Sequence, residues 1–235
     1  MEQDGIRLNK YLSDAGVCSR READRLIEEG VIAVDGTTAS VGTRVLPGQS
    51  VTMRGKAVSL TKKDDKVVLA FHKPRGVECT SDRSNPDNII DYIKYNKRIY
   101  TIGRLDKNSS GLILLTNDGD LANKIAKAGE NHEKEYLVRV DKPLTPEFLY
   151  RMANGLPILG KKTAPCRVQQ IGECFFRIVL IQGMNRQIRR MCEYLEYRVV
   201  ALKRVRVMNI LLGELPSGEY REVTPKELAE LRKML

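Results

Sequence analysis

The polar run Thr61-Lys62-Lys63-Asp64-Asp65-Lys66 carries no apolar side chain, and the hydrophobic pattern changes character across it. A segment with nothing to bury reads as a linker, here 61–66, between two separately packed domains, residues 1–60 and 67–235. Before the linker, Leu8, Tyr11, Leu12 and Ala15 fall at helical spacing, a single apolar stripe that Gly16 is placed to close. Ser19-Arg20-Arg21-Glu22 has the spacing of a capping box. It predicts a second helix running to Gly30, with Ala23, Leu26 and Ile27 turned inward. Val31–Val34, Asp35-Gly36 and Thr37–Ser40 read as a hairpin, with a further strand at Val51–Met53.

After the linker, short apolar runs at Val67–Phe71, Tyr100–Ile102, Leu112–Leu115, Tyr136–Val140 and Phe175–Ile181 predict strands. Helices are predicted over Asn117–Ala128 and from about Asn185, the latter with Ile188, Met191, Cys192 and Leu195 buried and Arg186 and Arg189 on an adjoining face. Residues 199–212 alternate, which would set Arg204 and Arg206 on one face and Val205 and Val207 on the other. Strands and helices mixed without a regular βαβ repeat indicate an α+β fold.

The chain of 235 residues has a formal net charge of +10, unevenly placed. Residues 1–60 hold eight basic and eight acidic side chains, so the whole excess lies beyond them. Residues 186–206 alone hold seven Lys/Arg against two Glu, a density that points to a polyanionic partner. Within the neutral first domain, Arg7, Lys10, Arg20, Arg21 and Arg25 can still share an exposed face. Charges interrupt every apolar run well before the ~18 residues of a membrane span, and Met1-Glu2-Gln3-Asp4-Gly5 is not the start of a signal peptide. A soluble cytoplasmic protein is expected. The five cysteines show no CxxC pair and only His72 and His132 accompany them, so neither a metal site nor a disulfide framework is expected.

Familiar nucleotide motifs fail on inspection. Gly155-Leu156-Pro157-Ile158-Leu159-Gly160-Lys161-Lys162 nearly spells a P-loop, but Lys162 stands where Ser or Thr would hold magnesium, and a helix rather than a strand precedes it. No GxGxxG occurs, so no nucleotide cofactor is indicated. What remains is Gly103-Arg104-Leu105-Asp106-Lys107-Asn108-Ser109-Ser110-Gly111, which sets Asp106 in a polar loop just before a buried strand. By position alone Asp106 is either a turn former, as acidic loop residues usually are, or a functional carboxylate. Asp118, in Asn117-Asp118-Gly119, reads as part of a strand-to-helix turn.

Two resemblances settle the choice. Arg7-Leu8-Asn9-Lys10-Tyr11-Leu12, Cys18-Ser19-Arg20-Arg21-Glu22-Ala23 and Val34-Asp35-Gly36 resemble the S4 domain, an αL-type module that clamps structured RNA. The Asp106 segment resembles the catalytic motif of the RsuA/RluF-type pseudouridine synthases. His72-Lys73-Pro74-Arg75-Gly76, Lys134-Glu135-Tyr136, Gly183-Met184-Asn185-Arg186-Gln187-Ile188-Arg189-Arg190 and Arg204-Val205-Arg206-Val207 match further motifs in the same order. Met184, and the stretch His132–Val138, resemble the RluF branch, which acts on large-subunit ribosomal RNA.

The resemblance implies a mixed or antiparallel sheet in the second domain and cofactor-free isomerisation of uridine to pseudouridine. It makes Asp106 the nucleophile, Arg189 its cationic partner and Tyr136 the ring that stacks on the flipped uracil. For Tyr136 taken alone, core packing on a strand is the simpler reading. Attack at C1′ and attack at C6 both need an ionised carboxylate, hence a nearby cation. The implied RNA contacts are Arg104, Leu105, Lys107, Lys73, Lys134, Arg186, Gln187, Ile188 and Arg190, with Arg7, Lys10, Arg20, Arg21 and Arg25 in the first domain. The implied partner is large-subunit ribosomal RNA, with a tRNA as a possible second substrate, met by a monomer. The competing reading is a catalytically idle RNA-binding or ribosome-assembly protein on the same fold.

Overall fold

The computed structural model describes residues 5–60, 66–126 and 132–235. The first four residues, nearly all of the polar linker and the end of the helix expected over Asn117–Ala128 lie outside the described residues. Tertiary contacts divide the chain into two compact units. One comprises the residues up to Lys66 with Asn117–Gly119, and the other Val67–Thr116 with Asp120–Leu235.

In the first unit β1 (Ile6–Arg7) runs into α1 (Leu8–Asp14), and α2 (Arg20–Glu28) follows a turn in which Gly16 takes φ +77°. Leu8 and Leu12 bury against Ala23, Leu26 and Ile27, the stripes the spacing predicts. Ser19 caps α2 by accepting the Glu22 N–H at 3.1 Å. The Glu22 carboxylate turns instead to Arg25 one helical turn on, so only half of the predicted capping box forms. β2 (Ile32–Val34) and β3 (Thr37–Thr38) make the predicted hairpin, with Asp35 and Gly36 at φ +49° and +79° as a type I′ turn requires. β4 (Arg44–Val45) pairs with β1, while β5 (Val51–Met53) and β6 (Lys56–Val58) complete a sheet ordered β3-β2-β5-β6.

The second unit begins with β7 (Val68–Lys73), α3 (Ile89–Ile93), β8 (Tyr100–Ile102), β9 (Ser110–Thr116), α4 (Gly119–Ala126), β10 (Lys134–Val140) and α5 (Pro146–Asn154). It continues with β11 (Pro157–Ile158), β12 (Lys161–Lys162), β13 (Arg167–Gly172), β14 (Phe175–Leu180), α6 (Gln187–Tyr194), β15 (Val199–Val207), β16 (Ile210–Leu211), β17 (Tyr220–Glu222) and α7 (Pro225–Lys233). The sheet runs β13-β14-β10-β15-β9-β7-β17, with β8 beside β9 and β16 beside β15. Only the β9–β15 pairing is parallel among the described strands, so this α+β domain has the expected mixed sheet. The near-P-loop segment is the β11–β12 hairpin, which follows α5 and has no helix after its lysines.

Both faces of the sheet are covered, which is why β7 and β9 read as unbroken apolar runs rather than alternating ones. Leu69, Phe71, Ile113 and Leu115 pack in one cluster with Ile89 of α3, Phe148 and Met152 of α5, and Ile188 and Met191 of α6. Val68, Ala70, Leu112 and Leu114 join Leu121 and Ile125 of α4 and Leu231 of α7 in a second cluster. α6 keeps its predicted buried stripe, but Arg189 is itself buried, whereas Arg186 is exposed in a left-handed conformation at the helix start.

One expectation fails for a structural reason. β10 faces β15 with a register shift: Glu135 opposes Arg206, but Tyr136 opposes Arg204, leaving Val205 as an extra, bulged residue. The bulge breaks the alternation, so Arg204 and Arg206 do not share an environment. Arg204 turns inward at 3% exposure, while Arg206 lies partly exposed, paired with Glu133 and Glu135 at 3.0 Å each. Opposite Arg204 on the other side stands Gly111, at φ +109°. A Cβ there would meet the Arg204 carbonyl oxygen at 2.2 Å, so the parallel pairing demands glycine.

Candidate active site

The loop carrying Asp106 is held at several points. Gly103 turns the chain out of β8 at φ +69°, and Leu105 buries while its N–H donates to Cys79 Sγ at 3.4 Å. The Ser109 N–H closes the turn onto the Asp106 carbonyl at 2.9 Å, and the Gly76 N–H reaches the Lys107 carbonyl at 2.9 Å. Beneath both loops lies Lys73. Its Nζ donates to the carbonyl oxygens of Pro74, Val77 and Lys107 at 2.8, 2.6 and 3.4 Å, with the side chain fully buried. Burial pushes the Lys73 ammonium down to about 8, against the pull of Cys79 and Asp106. Lys73 is therefore an internal tie rather than the RNA contact the resemblance implied.

Arg189 reaches the same loop from α6. Its Nη2 donates to Asn108 O at 3.1 Å and Ser109 Oγ at 3.3 Å, and Nη1 to Val199 O at 3.4 Å. The remaining donor, Nε, is buried without a hydrogen bond and lies 3.9 Å from Asp106 Oδ2. That is ion-pair distance, longer than a hydrogen bond. Burial first, then Arg186, lowers the guanidinium pKa, and Asp106 opposes the shift.

Asp106 and Arg189 open onto a cavity of about 240 Å³, below the ~300–1,000 Å³ of pockets for drug-sized ligands and suited to a single ring. Tyr136 lines it from β10, 9% exposed. Arg104, Lys134, Arg186 and Arg204 also line it, and among its lining residues Asp106 is the one carboxylate. Lys134 donates to His132 O at 3.0 Å; burial chiefly, and Arg204 secondarily, lower its ammonium pKa. Five cations around one carboxylate make a site that attracts an anion-bearing ligand.

The other implied contacts divide. Leu105, Gln187 and Ile188 line the cavity but are buried; Gln187 Oε1 accepts the Met184 N–H at 3.1 Å, so its amide shapes the turn into α6. Lys107 pairs with Asp87 at 2.7 Å, and Arg190 donates to Asn185 O at 3.1 Å. In the first unit Arg7, Arg20 and Arg21 are exposed. Lys10 and Arg25 are exposed in part or whole but meet Asp14 at 2.8 Å and Glu29 at 3.0 Å. Asp118 is buried and pairs with Lys66 at 3.1 Å, and it is not one of the residues that line the cavity. Arg204 is the cavity residue that sequence reasoning missed, because strict alternation set it beside Arg206. Burial accounts for two of the cysteines: it pushes Cys166 up to about 11 and Cys192 up to about 12, inert thiols at neutral pH.

The chain is similar to known proteins along its whole length. The family described as RNA pseudouridylate synthase matches residues 67–194, and the S4 domain matches residues 6–51. The dual-specificity RNA pseudouridine synthase RluF of Escherichia coli (strain K12) is 49% identical over 235 residues, spanning 100% of this chain and 81% of its own. Ribosomal large subunit pseudouridine synthase B of Bacillus subtilis (strain 168) is 34% identical over 237 residues, 97% of this chain and 96% of its own. A crystal structure of a pseudouridylate synthase, 24% identical, covers 98% of this chain and 100% of its own with a TM-score of 0.71, so the fold is shared. With the S4 module, the Asp106 loop and these matches together, the chain belongs to the RNA pseudouridine synthases of the RsuA/RluF type.

Proposed function

We propose that this isomerase acts on a uridine of large-subunit ribosomal RNA, with Asp106 as nucleophile, Arg189 as its partner and Tyr136 as the stacking ring. The observation that carries the reading is the convergence of these three side chains on one ring-sized cavity. The target uridine leaves its stack to enter, and the exposed Arg104 and Arg186 at the cavity receive the phosphates on either side. Asp106 supplies electrons at C1′ or at C6; either route breaks the C1′–N1 bond, turns the base and joins C5 to C1′. The net reaction neither oxidises nor reduces and transfers no outside group, so its stoichiometry calls for no external redox partner or group donor. Arg7, Arg20 and Arg21 of the S4 unit add phosphate contacts outside the cavity. The relatives described as dual-specificity support a second RNA substrate, with tRNA as the candidate. The enzyme works as a monomer in the cytoplasm; among the described residues no helix is long and apolar enough to cross a membrane.

The test is Asp106→Asn, nearly isosteric and unable to act as an anionic nucleophile. Pseudouridine formation on a large-subunit rRNA transcript, read by base-specific chemical labelling, should fall by orders of magnitude while RNA affinity holds or rises slightly. Wild-type turnover in the variant would refute the assignment. A wild-type protein that binds the RNA without forming pseudouridine would favour the idle binder instead.

A further inference from the structure

Among the described residues Arg204 is a buried charge that the proposed chemistry does not use. It is 3% exposed, lines the cavity, and donates from Nε to Leu112 O at 2.7 Å. Its two Nη atoms carry no protein hydrogen bond, and no carboxylate lies within ion-pair distance among the described residues. A buried guanidinium without an acidic partner is costly, so the fold gains nothing from keeping one there for stability. Its neighbours show where it is aimed. Arg204 stands directly across from Tyr136 in the β10–β15 register, so the two side chains rise from the same face about 5 Å apart at their bases. The Nε bond to Leu112 and the bulge at Val205 hold it in that position.

We infer that Arg204 is a base-facing residue whose Nη donors hold a carbonyl oxygen of the target uracil and stabilise the negative charge of the detached base. The inference rests on the proposed function above and adds to it a partner for the base, whereas Asp106 addresses the sugar or C6. In the route through C1′, Asp106 forms its bond to C1′ as the electron pair of the C1′–N1 bond leaves with the base. The charge spreads over N1, O2 and O4 of the uracil anion. C5 then bonds C1′ as the carboxylate departs, the C5 proton is lost, and N1 gains one. A fixed cation beside a carbonyl oxygen is strongest when that anion exists, so it lowers the barrier more than it tightens binding. A phosphate is the other anion an arginine could serve. The exposed Arg104 and Arg186 are placed for phosphates, which remain solvated; a buried guanidinium beside an aromatic ring is placed for a base.

The experiment compares wild type, Arg204→Met and Arg204→Lys in the full chain on the same rRNA transcript, with Asp106→Asn as the inactive reference. Single-turnover rate at saturating RNA, RNA affinity and its salt dependence are measured for each. In Arg204→Met the rate should fall about 10²-fold or more, the Kd should change less than about threefold, and the salt slope should stay that of wild type. Arg204→Lys, which keeps the charge, should recover part of the rate. If Arg204→Met does not fold, Arg204→Gln replaces it under the same criteria, since its amide can still donate to Leu112 O. An unchanged rate, or a loss of affinity with a salt slope shallower by about one, overturns the inference while leaving the proposed function intact. Absence of pseudouridine with wild type itself overturns both.

Discussion

The cations of the S4 unit and those of the cavity differ in what faces them. In α1 and α2, Lys10 meets Asp14 at 2.8 Å and Arg25 meets Glu29 at 3.0 Å, both one helical turn away. Such exposed pairs contribute little to stability, roughly 0–1 kcal/mol each, and they screen the charge they carry. Around the cavity, Arg104, Lys134, Arg186, Arg189 and Arg204 share the single carboxylate of Asp106 among the lining residues, and two of the five are buried to within 9% exposure. Equal numbers of basic side chains therefore do different work. On a helix surface a nearby acid neutralises them, and Arg7, Arg20 and Arg21 are the exposed cations proposed above to meet RNA. Inside the cavity the missing acids are what an anionic ligand supplies.

The largest effect that would break this contrast is expected at Arg189. Arg189→Ala removes the side chain that ties Asn108 and Ser109 and stands 3.9 Å from Asp106. Turnover on the rRNA transcript should fall about 10²-fold or more, with RNA affinity changed far less. A variant with near-normal turnover would mean that the Asp106 loop keeps its geometry unaided. The next effect concerns Lys73. Its native ammonium titrates near 8, below the ordinary 10.5 that it has when unfolded, so between these values the unfolded chain binds more protons. Stability from this group therefore rises with pH across that window. The deficit of Lys73→Met against wild type in unfolding free energy, from urea titration, should grow from pH 7 to pH 9.5, by on the order of 1–2 kcal/mol. A deficit independent of pH would place the charge elsewhere. Smallest is the S4 face: replacing Arg7, Arg20 and Arg21 by Gln should flatten the salt dependence of RNA binding by a slope of about 2–3 and leave the saturated rate unchanged. A wild-type slope in that variant would remove the S4 unit from the RNA footprint.

Much of this was legible in the residues because it is local. The α2 stripe, the Asp35-Gly36 turn and the buried face of α6 depend on neighbours a few positions apart, and each stands where spacing places it. The Asp106 loop was visible only as a polar loop before a buried strand, and family resemblance distinguished it from an ordinary turn. Arg204 and Lys73 were misread because their environments come from strands distant in sequence. The bulge at Val205 exists only through the register of β15 on β10, and the carbonyl cradle of Lys73 joins loops more than thirty residues apart. α3 spans five residues, too short for a periodic signal. α7 was readable and missed, since Thr224-Pro225-Lys226-Glu227 forms a complete capping box with proline at the first turn.

The central claim is that Asp106 and Arg189 act as one unit inside the cavity. A double-mutant cycle of Asp106→Asn and Arg189→Ala, read as single-turnover pseudouridine formation at saturating rRNA transcript, addresses it most directly. Groups that act together lose their joint effect when either is removed, so the double variant should be scarcely slower than the worse single variant. Rate losses that multiply, each variant contributing its full factor, would show that the two residues work independently and would contradict the account.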